Sequence, residues 1–223
     1  MGKKIGAVTI GQSPRIDVVP EITGLIGRVE LVEGGALDGL AYEEITALAP
    51  QAGDYVLVTR LADGRSVKIA EKYILARLQA QIDRLVSEGA EGILMLCSGE
   101  FPPFSCPKPL LYPQVLLTNF IGAVAGGKKL GIITPDKDQI PQVTKRWSAT
   151  GVRAVAAAAG SPYGAEENIW QAAAALKASE VELIVMDCIG FTQHMKDKVA
   201  EITGVPVVLP RTVAARAVAE LFG

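Results

Sequence analysis

Two short apolar runs, each ending at a cysteine, constrain this chain more than any other feature. Ile93-Leu94-Met95-Leu96 leads into Cys97-Ser98-Gly99, and Leu183-Ile184-Val185-Met186 leads through Asp187 into Cys188-Ile189-Gly190. A short apolar run bounded by turn signals suits a strand buried on both faces of a parallel sheet. The thiol then stands at the carboxyl end of the strand, where ligands gather in open α/β sheets.

The rest of the chain fits that frame. Further parallel strands are predicted over 4–10, 29–32, 110–112, 129–134, 152–157 and 205–209. Helices are predicted over 17–26 with Asp17 as cap, and over 42–48, 71–88, 114–125, 139–149 and 166–177. Two more follow, one capped by Thr192 and running to 202, the other over 211–221. Alternation of this kind predicts an α/β fold, a parallel sheet with helices on both faces. Asp63-Gly64 between Tyr55-Val56-Leu57-Val58-Thr59 and Ser66-Val67-Lys68-Ile69 is the exception and reads as a hairpin. The stretch Phe101-Pro102-Pro103-Phe104-Ser105-Cys106-Pro107-Lys108-Pro109 is too rich in proline for regular structure.

Each half repeats the other. Lys3-Lys4-Ile5-Gly6-Ala7-Val8-Thr9 resembles Lys128-Lys129-Leu130-Gly131-Ile132-Ile133-Thr134 at an offset of 125 residues, while the cysteines are 91 apart. The first half therefore carries 34 extra residues, and the hairpin segment is the expected insertion. The expected division is a first lobe over 1–125, a second over 126–207, and a C-terminal helix over 208–223 returning to the first. The strand ends of the two lobes would face each other across a cleft.

Composition removes several function classes. A hydrophobic fraction of 49% and a mean hydropathy of +0.30 fit a compact globular protein. A net charge of -2 lacks the basic footprint of a nucleic-acid binder. No apolar run has the length of a membrane span, and the short apolar stretch at the N-terminus is not expected to act as a signal peptide. Three cysteines in no framework spacing read as free thiols in a reducing cytoplasm. His194 is the single histidine and no Cys-x-x-Cys occurs, so a zinc set of soft ligands is not expected. The 122–128 segment has phosphate-loop spacing, but it ends in Lys128-Lys129 and precedes a strand where a phosphate loop follows one.

One cysteine at a strand end is ordinarily a small buried hydrophobe. Two at matched positions suggest proton transfer at a carbon, one thiolate taking a proton from one face and the other thiol returning one to the opposite face. Sulfur suits this because its ordinary pKa, about 8.5, lies near neutrality. A helix is expected after each cysteine, its N-terminus favouring the thiolate. Free amides near Ser98-Gly99 and Ile189-Gly190 would hold a carboxylate and its developing enolate. Thr9, Gln12, Ser13 and Arg15 follow the first strand at a ligand-binding position, although Ser-Pro is also ordinary turn chemistry. Arg60 would pair with a second carboxylate, while Arg65 reads as solvated charge. Thr134 mirrors Thr9 and is expected either to hydrogen-bond substrate or simply to end its strand. Asp187 should point to the sheet face opposite Cys188, His194 titrates usefully near neutrality, and Cys106 is incidental. A disulfide between Cys97 and Cys188 is the remaining alternative.

Three segments resemble the AroM family: Thr9-Ile10-Gly11-Gln12-Ser13-Pro14-Arg15-Ile16-Asp17, Thr59-Arg60-Leu61-Ala62-Asp63-Gly64, and Asp187-Cys188-Ile189-Gly190-Phe191-Thr192. AroM proteins in turn resemble the aspartate/glutamate racemase superfamily, which includes hydantoin racemases, maleate isomerase and arylmalonate decarboxylase. The resemblance implies two pseudosymmetric flavodoxin-like lobes, mainly parallel sheets, a central cleft with a cysteine from each lobe, and no cofactor. Cys97 and Cys188 fall at the two cysteine positions. The first loop departs from the racemases, with Gly11-Gln12-Ser13-Pro14 in place of Asp-Ser-Gly, and so does the second cysteine motif, with Ile189-Gly190 in place of Thr-His.

The expected activity is a cofactor-independent racemase or isomerase of a small carboxylate or amino acid. In the isomerase version, Cys97 adds to the substrate as a nucleophile. The alternative is a small-molecule-binding or regulatory protein on the same scaffold, without turnover. The expected partner is a small carboxylate, not a nucleic acid or a membrane, and a homodimer is allowed.

Overall fold

The structure, a computed structural model, describes residues 2–223. The chain divides into two compact α/β units. The first runs to Pro113 and takes back Ala214–Gly223, and the second is Gln114–Val213.

The first unit contains β1 (Lys4–Thr9), α1 (Val19–Thr23), β2 (Glu30–Gly35), α2 (Tyr42–Thr46), β3 (Val56–Arg60), β4 (Ser66–Ala70), α3 (Leu75–Ser87), β5 (Gly92–Leu96) and β6 (Leu110–Leu111). Its sheet has the order β2-β1-β5-β6, with every neighbour parallel. One face of α3 is apolar. Leu78, Ile82 and Leu85 pack on Val8, Ile93 and Met95 of the central strands, and Leu57 and Ile69 of the antiparallel β3–β4 hairpin join the same core. In the hairpin turn the Gly64 N–H donates to the Leu61 carbonyl at 3.0 Å, with Gly64 at φ +90°.

The second unit contains α4 (Pro113–Val124), β7 (Lys129–Thr134), α5 (Ile140–Ser148), β8 (Ala154–Ala159), α6 (Glu167–Ala178), β9 (Leu183–Met186), α7 (Gln193–Thr203), β10 (Val207–Val208) and the start of α8 (Pro210–Phe222). Its parallel sheet reads β8-β7-β9-β10, the same order as the first unit. β9 is buried on both faces. Ile184 and Met186 meet α6 and α7 through Ile169, Ala173, Met195 and Val199, while Leu183 and Val185 meet Val143 and Trp147 of α5. Leu117 and Ile121 of α4 belong to the α5 side of this core.

The repeat extends to packing. A Cβ added at Gly6 would lie 2.6 Å from Ile93 Cδ1 and 3.0 Å from Leu85 Cβ; one at Gly131 would lie 3.0 Å from Ile184 Cγ1 and 3.3 Å from Leu176 Cδ1. Each first strand thus carries a glycine where a helix and a neighbouring strand close on it.

Two local expectations differ from what is found. Asp17 does not cap a helix. The helix starts at Val19 with no side-chain cap, because Asp17 is held by the Arg15 guanidinium, a stronger partner than backbone N–H groups. No helix follows Cys97 either. Four prolines between 102 and 109 deny a helix its donors, and the loop is pinned by side chains instead. Gln79 donates to the Ser105 carbonyl at 2.8 Å and accepts from its N–H at 2.9 Å. The Phe104 N–H donates to Tyr112 Oη, and the Glu100 N–H to Tyr55 Oη.

Candidate active site

In the first unit the site is built where β1 and β5 end. Thr9 and Leu96 are register partners, so the chain turns at Thr9 on one strand and enters Cys97 on the next. The Cys97 side chain belongs to the α3 face of the sheet, with Ile93 and Met95, and is 8% exposed. Its Sγ accepts the N–H of Gly99 at 3.3 Å.

The loop after β1 is knitted together by its own polar groups. Thr9 Oγ1 accepts from the Gly11 N–H at 3.2 Å and from Arg15 Nη1 at 2.9 Å. Arg15 is buried and grips both carboxylate oxygens of Asp17 at 2.8 Å. Burial pushes the Asp17 carboxyl up, but the Arg15 hydrogen bond and charge outweigh it and hold the group below its ordinary 3.8. Arg60 adds to the same effect from the hairpin. Ser13 gives both its N–H and its hydroxyl to Asp38, at 2.7 and 2.6 Å. Gln12 accepts the Ala62 N–H at 3.0 Å and so ties the loop to the hairpin tip. Arg60 Nε donates to the Gly64 carbonyl at 3.2 Å. Thr9 and Arg15 are thus joined directly, while Ser13, Gln12 and Arg60 are held by Asp38, the Ala62 N–H and the Gly64 carbonyl.

The second unit repeats the turn. Cys188 is 7% exposed and shares a sheet face with Ile184 and Met186. Its Sγ accepts the Gly190 N–H at 3.4 Å. α7 begins at Gln193, five residues after Cys188, with Thr192 Oγ1 capping the Met195 N–H at 3.2 Å. Thr134 is buried and donates to Gln139 Oε1 at 3.0 Å. Asp187 turns to the α5 face, where Trp147 Nε1 donates to it at 2.7 Å and Arg146 pairs with it. His194 stands in solvent with its side chain 73% exposed, 3.8 Å from Glu166.

One feature is common to both turns. Ser98 and Ile189 are buried, yet among the described residues the N–H of neither donates to a protein acceptor. Buried backbone donors are nearly always paired, so a matched pair without protein acceptors sets these two turns apart. Cys97, Cys106 and Cys188 are all free thiols. No group of three or more His, Cys, Asp or Glu that could hold a metal ion occurs among the described residues. No helix among them is long and apolar enough to cross a membrane.

Sequence reasoning missed two residues at the second turn. Tyr163 Oη lies 3.7 Å from Cys188 Sγ. Arg211, fully buried in the first turn of α8, donates from Nε to the Ile189 carbonyl at 2.9 Å. Neither lies in a motif with Cys188. Only the loop after β8 and the helix after β10, both at carboxyl strand ends, could have pointed to them.

The fold has solved counterparts. An aspartate racemase from Picrophilus torridus matches 100% of this chain and 95% of its own, at 13% identity and a TM-score of 0.61. Maleate isomerase Iso from Pseudomonas putida S16 matches 99% and 93%, at 14% identity and a TM-score of 0.63. Glutamate racemase from Francisella tularensis subsp. tularensis SCHU S4, in complex with D-glutamate, matches 99% and 81%, at 10% identity and a TM-score of 0.64. All three belong to the aspartate/glutamate racemase superfamily, and at these identities the likeness is one of fold. Compared by sequence with curated proteins, the chain finds no match. The family model described as AroM protein matches residues 5–222. With a racemase-like α/β scaffold, a duplicated cysteine turn and that match across nearly its whole length, the chain belongs to the AroM family.

Proposed function

We propose that this protein is a cofactor-independent racemase or isomerase of a small carboxylate, with Cys97 and Cys188 as its acid/base thiols. The observation that carries the reading is the matched pair of turns. Each sulfur accepts the N–H of the glycine two residues on, and each intervening residue is buried with an N–H that donates to no protein acceptor among the described residues. A donor aimed at sulfur solvates a thiolate better than a thiol. Such an N–H beside it suits a carboxylate whose negative charge grows during reaction.

In the proposed reaction one thiolate takes the proton from the carbon next to the carboxylate. The electron pair of the broken C–H bond moves into the carboxylate, giving an enediolate held by the Ser98 and Ile189 N–H groups. The other thiol then gives its proton to the same carbon, re-forming a C–H bond on the opposite face. Gly99 and Gly190 shape the two turns. Arg60 would meet a second carboxylate, while Thr9, Gln12, Ser13 and Arg15 hold the first loop in shape and Thr134 holds its counterpart. Three free thiols suit a reducing, cytoplasmic setting.

The racemase and isomerase names of the fold neighbours agree with this reading. Exchange of the substrate's α-hydrogen with solvent deuterium, followed by NMR, tests it. Exchange that both single cysteine-to-alanine variants lack supports turnover. Tight carboxylate binding with no exchange favours a sensor on the same scaffold.

A further inference from the structure

Asp187 is a buried titratable group that the two-thiol mechanism does not use. Its side chain is 1% exposed and paired with Arg146, and Trp147 Nε1 donates to Oδ2 at 2.7 Å. Oδ1 is buried too, with no hydrogen-bond donor among the described residues. The Asp187 N–H donates to the Ile133 carbonyl at 2.7 Å, so β7 already holds the backbone here. The first unit shows what such a turn requires. Leu96 precedes Cys97, is fully buried, and stands 91 residues before Asp187, the offset between the cysteines. Both sulfurs nonetheless accept the N–H of the glycine two residues on, at 3.3 and 3.4 Å. A leucine therefore serves the turn as well as a carboxylate does. Buried ion pairs give little net stability over apolar side chains of similar volume, and an incompletely bonded carboxylate gives less. What Asp187 and Arg146 add, and Leu96 does not, is charge beside a thiol.

We propose that Asp187 and Arg146 are positioning residues that act on Cys188 through charge, the Asp187 carboxylate favouring the protonated thiol and the Arg146 guanidinium opposing it. The signs follow from electrostatics, since a like charge nearby disfavours a thiolate and an opposite charge favours it. Asp187 is the chain neighbour of Cys188, while Arg146 meets the turn from α5 at that carboxylate, so the carboxylate has the larger effect. Burial leaves both effects stronger than they would be at the surface. The role in turnover rests on the two-thiol reading above: the pair sets the pH at which Cys188 exchanges its proton with the substrate carbon.

The other titratable and charged groups around Cys188 stay in place in every variant below. Tyr163 Oη, from the loop after β8, is 3.7 Å from Sγ. Arg211 of α8 donates to the Ile189 carbonyl. Glu166 and His194 lie together at the surface, Lys177 of α6 donates to the Ile202 carbonyl, and Lys198 of α7 pairs with Glu201. The α6 and α7 side chains packed in the Cys188 cluster are apolar.

The test is alkylation of the whole protein by iodoacetamide across a pH series, with Cys188 followed by peptide mass spectrometry and Cys106 as the reference for the reagent. Asp187→Asn, which keeps an acceptor for Trp147, should lower the Cys188 midpoint by about half a pH unit, speeding alkylation about threefold below it. Arg146→Gln should raise the midpoint by a smaller amount. Trp147→Phe keeps both charges and should leave the midpoint in place while lowering stability to urea. Shifts of one sign in Asp187→Asn and Arg146→Gln, or no shift in either, overturn the proposal, because a purely structural role has no reason to give opposite signs. So does a shift in Trp147→Phe as large as theirs. The double variant Asp187→Asn/Arg146→Gln leaves neither charge buried alone. Its midpoint should lie below the native one, and a value at or above it overturns the proposal whether or not the single variants fold. Alkylation uses no substrate, so absent α-hydrogen exchange with these shifts intact would reject turnover and leave the Asp187 and Arg146 assignment standing.

Discussion

Asp187 and Cys188 are adjacent in sequence and opposite in environment. The sulfur faces an apolar cluster, while the carboxylate faces α5 and is paired with the buried Arg146. Removing one member of a buried pair leaves the other uncompensated, so Asp187→Ala should cost about 3–5 kcal/mol in urea unfolding. Asp17 gives a different signal. Its carboxyl is held below 3.8 by Arg15, so the pair adds stability that is fully present above the unfolded value, near 4, and is lost as pH falls through the lower native value. Asp17→Asn should therefore narrow the difference in urea midpoint between about pH 6 and about pH 3. At this scale both cysteines were legible because chain duplication marks them twice. Tyr163 was not, since 25 residues separate it from Cys188 and only the fold joins them. Ser13 and Arg15 were legible as a motif, but their partners Asp38 and Asp17 were not, because a motif does not say where its hydrogen bonds go.

The strands were the most legible elements. β7 has the bounds its sequence predicts, Lys129–Thr134, and β9, expected over 183–187, ends one residue earlier at Met186. Apolar runs between glycines and charges leave little freedom in placing a buried strand. The helix expected after Cys97 was the failure, because four prolines between 102 and 109 deny a helix there its donors. The Gly99 N–H donates to the Cys97 sulfur in a turn that no helix follows, whereas α7 follows the Cys188 turn. Close packing between elements supplies a further prediction. Gly6→Ala sets a methyl 2.6 Å from Ile93 Cδ1, and overpacking of that kind should cost about 1–3 kcal/mol, read as a lower urea midpoint with an unchanged slope.

The whole chain is two versions of one plan. Both sheets run in the same order, both first strands carry the close-packed glycine, and both central strands end in a thiol beside a buried N–H that donates to no protein acceptor among the described residues. That duplication, and the family membership, were legible in the sequence. The Tyr163 and Arg211 contacts at the second turn were not, because both residues belong to segments with no counterpart motif. The central claim is that both thiols act on one carbon, and the most direct measurement is NMR of chiral carboxylate pools incubated with the protein in deuterated water. The account predicts loss of one substrate's α-hydrogen signal with the native protein and none with Cys97→Ala or Cys188→Ala. Exchange that persists in either variant, or no exchange with any carboxylate the protein binds, would contradict it.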